Sequence, residues 1–193
     1  YSNGSSDKLY SVLSNDQNEY IAVGESSQNG RWYLHVDSNG EIKQSYNIGI
    51  QSSVYKSVAI LSEGGSIATG YQIINEEKDL IIDRFGTNGD LLWSKNYNIE
   101  YSDVGNTIIE LSNKSIVVSG YSHVNTLNQD ILVMSIDQSD GEEKWRSIIG
   151  GNERDEGYDI IESELGGVFV LGQTYSGSDN NGDILILKIN SIG

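Results

Sequence analysis

The sequence predicts an all-β protein: a β-propeller built from four roughly 50-residue, four-stranded blades, the last lacking its fourth strand. Three observations predict it. The chain repeats itself at a period of about 50 residues. Turn signals break it about every 8 to 12 residues. No window shows the i, i+3, i+4, i+7 apolar spacing of an amphipathic helix.

Four segments align, over residues 7–52, 53–102, 103–154 and 155–193. They open at Asp7, Ser53, Asp103 and Asp155, spaced by 46, 50 and 52 residues, and the last runs for 39. Each begins with a short apolar strand: Tyr10 to Leu13, Lys56 to Ala59, Asn106 to Ile109 and Tyr158 to Ile161. A polar turn follows, such as Ser62-Glu63-Gly64-Gly65. The second strand ends in Gly every time, at Gly24, Gly70, Gly120 and Gly172.

A variable polar loop leads to the third strand, which in three repeats starts with Asp: Asp79, Asp130 and Asp183. The strands themselves are Leu80 to Ile82, Ile131 to Met134 and Ile184 to Leu187, with Trp32 to Val36 in the first repeat. They are apolar on both sides, as in a sheet lying between two neighbouring sheets. Next comes a tight turn, Ser38-Asn39-Gly40, Thr87-Asn88-Gly89 or Ser139-Asp140-Gly141. Asn-Gly and Asp-Gly are strong hairpin signals because both residues tolerate positive φ. The fourth strand carries Trp93 and Trp145, each four residues after the turn Gly, and Ile42 to Tyr46 fill that place in the first repeat. A β-sandwich does not call for a repeat of this length, and a solenoid coil is shorter, so stacked propeller blades fit best.

Composition narrows the function classes. With 28 acidic and 12 basic residues the net charge is −16, which repels nucleic-acid backbones and anionic membrane surfaces. The longest apolar runs are strand-sized, so no membrane insertion is expected. Cys is absent, which removes disulfides, thiolate metal sites and a cysteine nucleophile. Pro is absent too, a composition bias set against abundant Asn, Ser, Ile and Tyr. The chain begins at Tyr1, which suggests a processed product or a fragment. An acidic, Cys-free chain rich in Asn, Ser and Gly suits a secreted bacterial surface protein, so an extracellular or cell-surface location is expected.

The segment from Ser135 to Trp145, with Asp137, Gly141 and the Trp, resembles the blade repeat of quinoprotein-like propellers. Thr87-Asn88-Gly89 with Trp93 is a second, weaker copy. The stretches Trp145 to Gly157, Gly172-Gln173-Thr174 and Asp183 to Lys188 resemble propeller repeats of secreted proteins from Bacteroidetes-type bacteria. The resemblance spans nearly the whole chain, and it implies blades rather than chemistry. It implies that Trp93 and Trp145 dock between blades. The quinoprotein enzymes hold their quinone and calcium in a much larger ring, so that activity is not carried over. The sialidase Asp-box would place its aromatic three residues after the Gly, and here the gap is four.

Candidate chemistry is sparse. His35 sits in a third strand where the other repeats carry Arg84, Ser135 and Lys188, and is expected to be a face residue without a role; His123 is expected in an exposed loop. Asp179, Asn181 and Asp183 place oxygen ligands at i, i+2 and i+4 around Gly182, a pattern that suits calcium, set against a turn-capping Asp. No other cofactor is expected. Asp103 and Asp155 recur before first strands and are expected to hold the turn between blades. Glu110 and Glu162 hold matching places on first strands, where they would face the channel. Two glycosylation sequons occur, at Asn3 and Asn113. None of the Gly-rich turns opens a helix, so no phosphate loop is expected.

The last repeat stops at the turn that elsewhere precedes the fourth strand. An open edge of this kind calls for a cover. It would come from sequence beyond this window, from closure of a ring, or from a strand donated by another subunit. The expected function is therefore a non-catalytic extracellular structural module, completed by another chain or by outside sequence, and capable of forming a filament by self-association through the open edge. The alternative is a propeller that binds carbohydrate or protein at loop tips. A propeller lyase or hydrolase ranks below both.

Overall fold

A computed structural model describes residues 6–48, 52–125, 127–177 and 181–193. Among them are fifteen strands and no helix. The first sheet holds β1 (Asp7–Ser14), β2 (Tyr20–Ser26), β3 (Gly30–Val36) and β4 (Ile42–Ile48). The second holds β5 (Ser53–Ile60), β6 (Ser66–Ile74), β7 (Glu77–Phe85) and β8 (Leu91–Tyr97). The third holds β9 (Asp103–Glu110), β10 (Ile116–His123), β11 (Gln129–Ile136) and β12 (Glu143–Ile149). The fourth is three-stranded: β13 (Asp155–Glu162), β14 (Val168–Thr174) and β15 (Asp183–Ile189). Every sheet is an antiparallel meander in chain order, so the predicted blades, with the last one strand short, are present.

The Gly expected to end each second strand does something else. In the second sheet Tyr55 pairs with Gly70, but Ser57 pairs with Thr69, so one residue of β5 bulges out opposite the Gly. The same shift occurs at Gly24, Gly120 and Gly172. A Cβ on Gly70 would overlap the Val54 carbonyl oxygen, which is why no side chain is tolerated there. The bulge bends the strand without ending it, and β6 runs on to Ile74.

Register makes positions in different sheets equivalent, and those positions explain the stacking. Val58, Ile108 and Ile160 stand at the same place in β5, β9 and β13, two residues past the bulged one, and each packs back onto the preceding sheet. Three separate apolar clusters result. Ile21, Val23 and Tyr33 meet Tyr55, Val58 and Phe85 at the first junction. Ile67, Leu80 and Ile82 meet Ile108, Val118 and Met134 at the second. Val117, Ile131 and Val133 meet Ile160, Val168 and Val170 at the third. Each fully buried aliphatic side chain stabilises its junction by about 1.5–3 kcal/mol. Tyr33 also stacks on Phe85, with ring centroids 3.8 Å apart.

Packing runs from each sheet to the next, with the first strand of the later sheet lying across the first three strands of the earlier one. The second and third sheets are thus covered on both faces, and β7 and β11 are buried along nearly their whole length. The end sheets are covered on one face only. Leu9 and Val12 of β1 and Ile184 and Ile186 of β15 are exposed. The four blades stack in chain order, with the outer faces of the first and the last left open.

Candidate functional site

The junctions between sheets gather the polar side chains. The first holds a buried ion pair, with Arg31 Nε of β3 at 2.8 Å from Asp83 Oδ2 of β7. The Tyr55 hydroxyl donates to the same Asp83 oxygen and accepts from Arg31 Nε at 3.2 Å. Arg31 completes its fork on Gln72 Oε1 at 2.9 Å and Ser94 Oγ at 3.3 Å. Burial, and after it the Asp83 carboxylate, push the Tyr55 hydroxyl well above its ordinary pKa. Sequence reasoning missed this cluster. Two signals were present: Arg31 stands where the other repeats carry Leu80, Ile131 and Ile184, and Asp83 stands where the third and fourth carry Met134 and Leu187. Buried at both ends, the cluster fixes the first sheet on the second.

Glu110 and Glu162 do not face a channel. Glu110 accepts from the backbone N–H and hydroxyl of Ser62 in the preceding sheet, at 2.7 and 2.9 Å. Glu162 repeats this on Ser112, at 2.9 and 2.6 Å. The spacing put these carboxylates at equivalent places, but the stacking turns them sideways onto the neighbouring turn. Trp93 leans on the second junction and donates Nε1 to the Gln138 carbonyl of the next sheet at 3.3 Å. Trp145 packs at the third junction, with Gly193 against its ring.

Asp103 and Asp155 hold the turns that enter β9 and β13. Asp103 Oδ2 accepts from the N–H groups of Ile99 and Glu100, and Asp155 Oδ2 from that of Gly151. His35 is buried, contrary to the expected face position, and bonds Glu19 Oε2 through Nε2 at 2.8 Å. Stacking of the second sheet covers it. His123 is half-buried rather than exposed, because it lies within β10, where Gln129 bonds its ring at 3.1 Å.

Of the proposed calcium ligands, Asp183 opens β15 opposite Thr174 and is exposed, Asn181 lies just before that strand, and Asp179 lies outside the described residues. Among the described residues no group of three His, Cys, Asp or Glu is arranged to hold a metal. Asn113 sits in the exposed turn between β9 and β10, its side chain accepting from the Ser115 N–H. Asn3 lies outside the described residues.

Among the described residues, two surfaces open to other molecules lie beside the second junction and on the fourth sheet, besides the outer face of the first sheet. One is a groove of about 550 Å³ at the second junction, lined by Arg84, Trp93, Asn113, Lys114 and Lys144 among others. The other is the outer face of the fourth sheet, where Phe169, Leu171, Ile184 and Ile186 are exposed together. Their equivalents in the third sheet, Val117, Ser119, Ile131 and Val133, are wholly buried under β13.

Comparison with known proteins agrees on the architecture. No family model matches the chain, and no curated protein matches it. Among solved structures it is similar to a quinohemoprotein alcohol dehydrogenase from Comamonas testosteroni, at 12% identity and a TM-score of 0.65. That match covers 97% of this chain and 34% of the dehydrogenase. It is similar to a protein of unknown function from Dyadobacter fermentans, at 11% identity and a TM-score of 0.65, over 96% of this chain and 67% of the other. A second quinohemoprotein alcohol dehydrogenase, ADHIIG from Pseudomonas putida HK5, matches at 11% identity and a TM-score of 0.55, over 96% and 34%. The chain thus spans about a third of the length of the dehydrogenases it resembles. At such identities the likeness is one of fold: stacked four-stranded propeller blades.

Proposed function

We propose that this chain is a non-catalytic structural module of an extracellular or cell-surface assembly, working as a stack of blades whose open last sheet is covered by a further blade. The observation that carries the reading is the apolar outer face of β13–β15. Its repeat positions are buried at every internal junction and exposed here. An exposed contiguous apolar face on a strongly acidic chain marks an interaction surface. The carboxylates expected to face the channel, Glu110 and Glu162, are taken up as hydrogen-bond acceptors between blades. The extracellular setting rests on composition alone.

The experiment is an in-register extension. Gly193 is the equivalent of Gly141, so appending a copy of residues 142–193 after it adds the missing fourth strand and one more blade. The extended chain is expected to melt several degrees higher, because the added blade buries the outer face. An unchanged or lower melting temperature would remove the reading.

A second reading, ligand binding, is favoured by the groove beside Trp93, where an aromatic ring, the cations Arg84, Lys114 and Lys144 and the carboxylates Glu63 and Asp137 line one concavity. Titrating oligosaccharides or acidic peptides while following tryptophan fluorescence tests it, and a flat response at millimolar ligand removes it.

A further inference from the structure

We infer that the partner of the open face is a second copy of this chain, stacked head to tail, with β1 of one molecule lying across β13–β15 of the next. The inference rests on the reading of the outer face as blade-docking and names what docks there.

The chain contains this interface three times already. At each internal junction the earlier sheet offers four positions on its second and third strands: Ile21, Val23, Arg31 and Tyr33, then Ile67, Thr69, Leu80 and Ile82, then Val117, Ser119, Ile131 and Val133. All are nearly or fully buried. The fourth set, Phe169, Leu171, Ile184 and Ile186, is apolar throughout and open, with Ile184 82% exposed where Ile131 is 0%.

The later sheet answers with its first strand. Val58, Ile108 and Ile160 are 3%, 2% and 3% exposed, and their equivalent in β1, Val12, is 62% exposed. Leu9 stands at the bulge position occupied by Tyr55, Gly105 and Gly157, each of which faces the preceding sheet. It too is exposed. The two ends of the stack therefore carry the two halves of one repeated interface.

The polar bond at the junction is matched as well. Internally, Ser62 and Ser112 donate to Glu110 and Glu162 of the following sheet. The Leu61, Leu111, Ser163 and Asn15 turn bonds align these turns, so the corresponding residues are Glu164 on the fourth sheet and Ser14 on the first. The same two residue types recur with their places exchanged, and both are exposed. A fourth-sheet face meeting another fourth-sheet face would offer neither Val12 nor this pair. A heterologous contact of this kind gives a ring if the rotation closes and a filament if it does not.

The test uses the full chain and two double variants, Leu9→Lys with Val12→Lys and Ile184→Lys with Ile186→Lys. Circular dichroism checks that both fold, and sedimentation velocity is followed through the micromolar range. Head-to-tail stacking predicts that the wild type associates, that each variant alone is monomeric, and that mixing the two variants restores a dimer through the intact pair of faces. If the wild type associates and the Leu9/Val12 variant still does, the contact is not head to tail; the inference falls and the assembly reading stands. If the wild type stays monomeric, a second copy is not the partner, and the in-register extension decides whether the face docks a blade at all.

Discussion

Arg31 of the first sheet and Asp83 of the second form an ion pair 2.8 Å long that is buried at both ends. It replaces two apolar residues of the repeat with a charge from each sheet. Removing one member leaves the other buried and unpaired, which costs far more than the pair contributes.

Asp83→Ala is therefore expected to destabilise by about 3–5 kcal/mol in urea unfolding. The repeats supply the repair. Arg31→Leu with Asp83→Met installs the residues found at Leu80 and Met134, and Tyr55→Phe removes the hydroxyl that would be stranded. This triple variant should recover most of the loss. If it is no more stable than Asp83→Ala, the pair does more at this junction than satisfy its own charges.

Gly70→Ala tests the bulge. A Cβ there would overlap the Val54 carbonyl oxygen, and backbone cannot move aside as a side chain would. A loss of about 1–3 kcal/mol is expected. Gly40, in an open hairpin turn with nothing near its Cβ position, carries only the cost of its positive φ. A fully stable Gly70→Ala protein would show that the strand does not need the bulge.

Glu19 links stability to pH. Lys43 first, then Asn15 and His35, hold its carboxyl down at about 2. Its folded value lies below the unfolded one, so its contribution is present above the ordinary carboxylate range, about 4.3. It is lost as pH falls through about 2. Melting curves of Glu19→Gln and wild type should differ at neutral pH and converge on acidification. Curves that stay equally far apart at both ends would contradict it.

The repeat period, the β-branched runs and the Asn-Gly turns carried the fold, because each reports a local backbone requirement that every blade must meet. What joins one blade to the next was less legible. Arg31 and Asp83 are far apart in the chain and meet only through stacking, and nothing local announces it. Their signal lay in departures from the repeat. The Gly residues were read correctly as recurring and wrongly as strand ends, because a bulge and a terminus call for the same residue.

Asp79 and Asp130 hold equivalent places in the third strands β7 and β11, yet their surroundings differ. Asp79 accepts from Asn96 at 2.7 Å and from Asn98 at 3.2 Å. In the next blade those places hold Ile148 and Gly150. Asp130 Oδ1 is consequently buried without a partner, and the Asp155 carboxylate approaches the same point beside Gly150. Burial first, and then Asp155, raise the Asp130 pKa. A carboxyl whose folded value is raised works against folding at neutral pH and stops doing so once protonated. Asp130→Asn is thus expected to stabilise the protein at pH 7 by about 0.5–2 kcal/mol, with the gain shrinking as pH falls. Asp79→Asn, which weakens two charge-assisted hydrogen bonds, should destabilise by about 1.5–3 kcal/mol. Thermal melts of both variants at neutral and acid pH settle the contrast, and a loss of stability in Asp130→Asn at pH 7 would refute it.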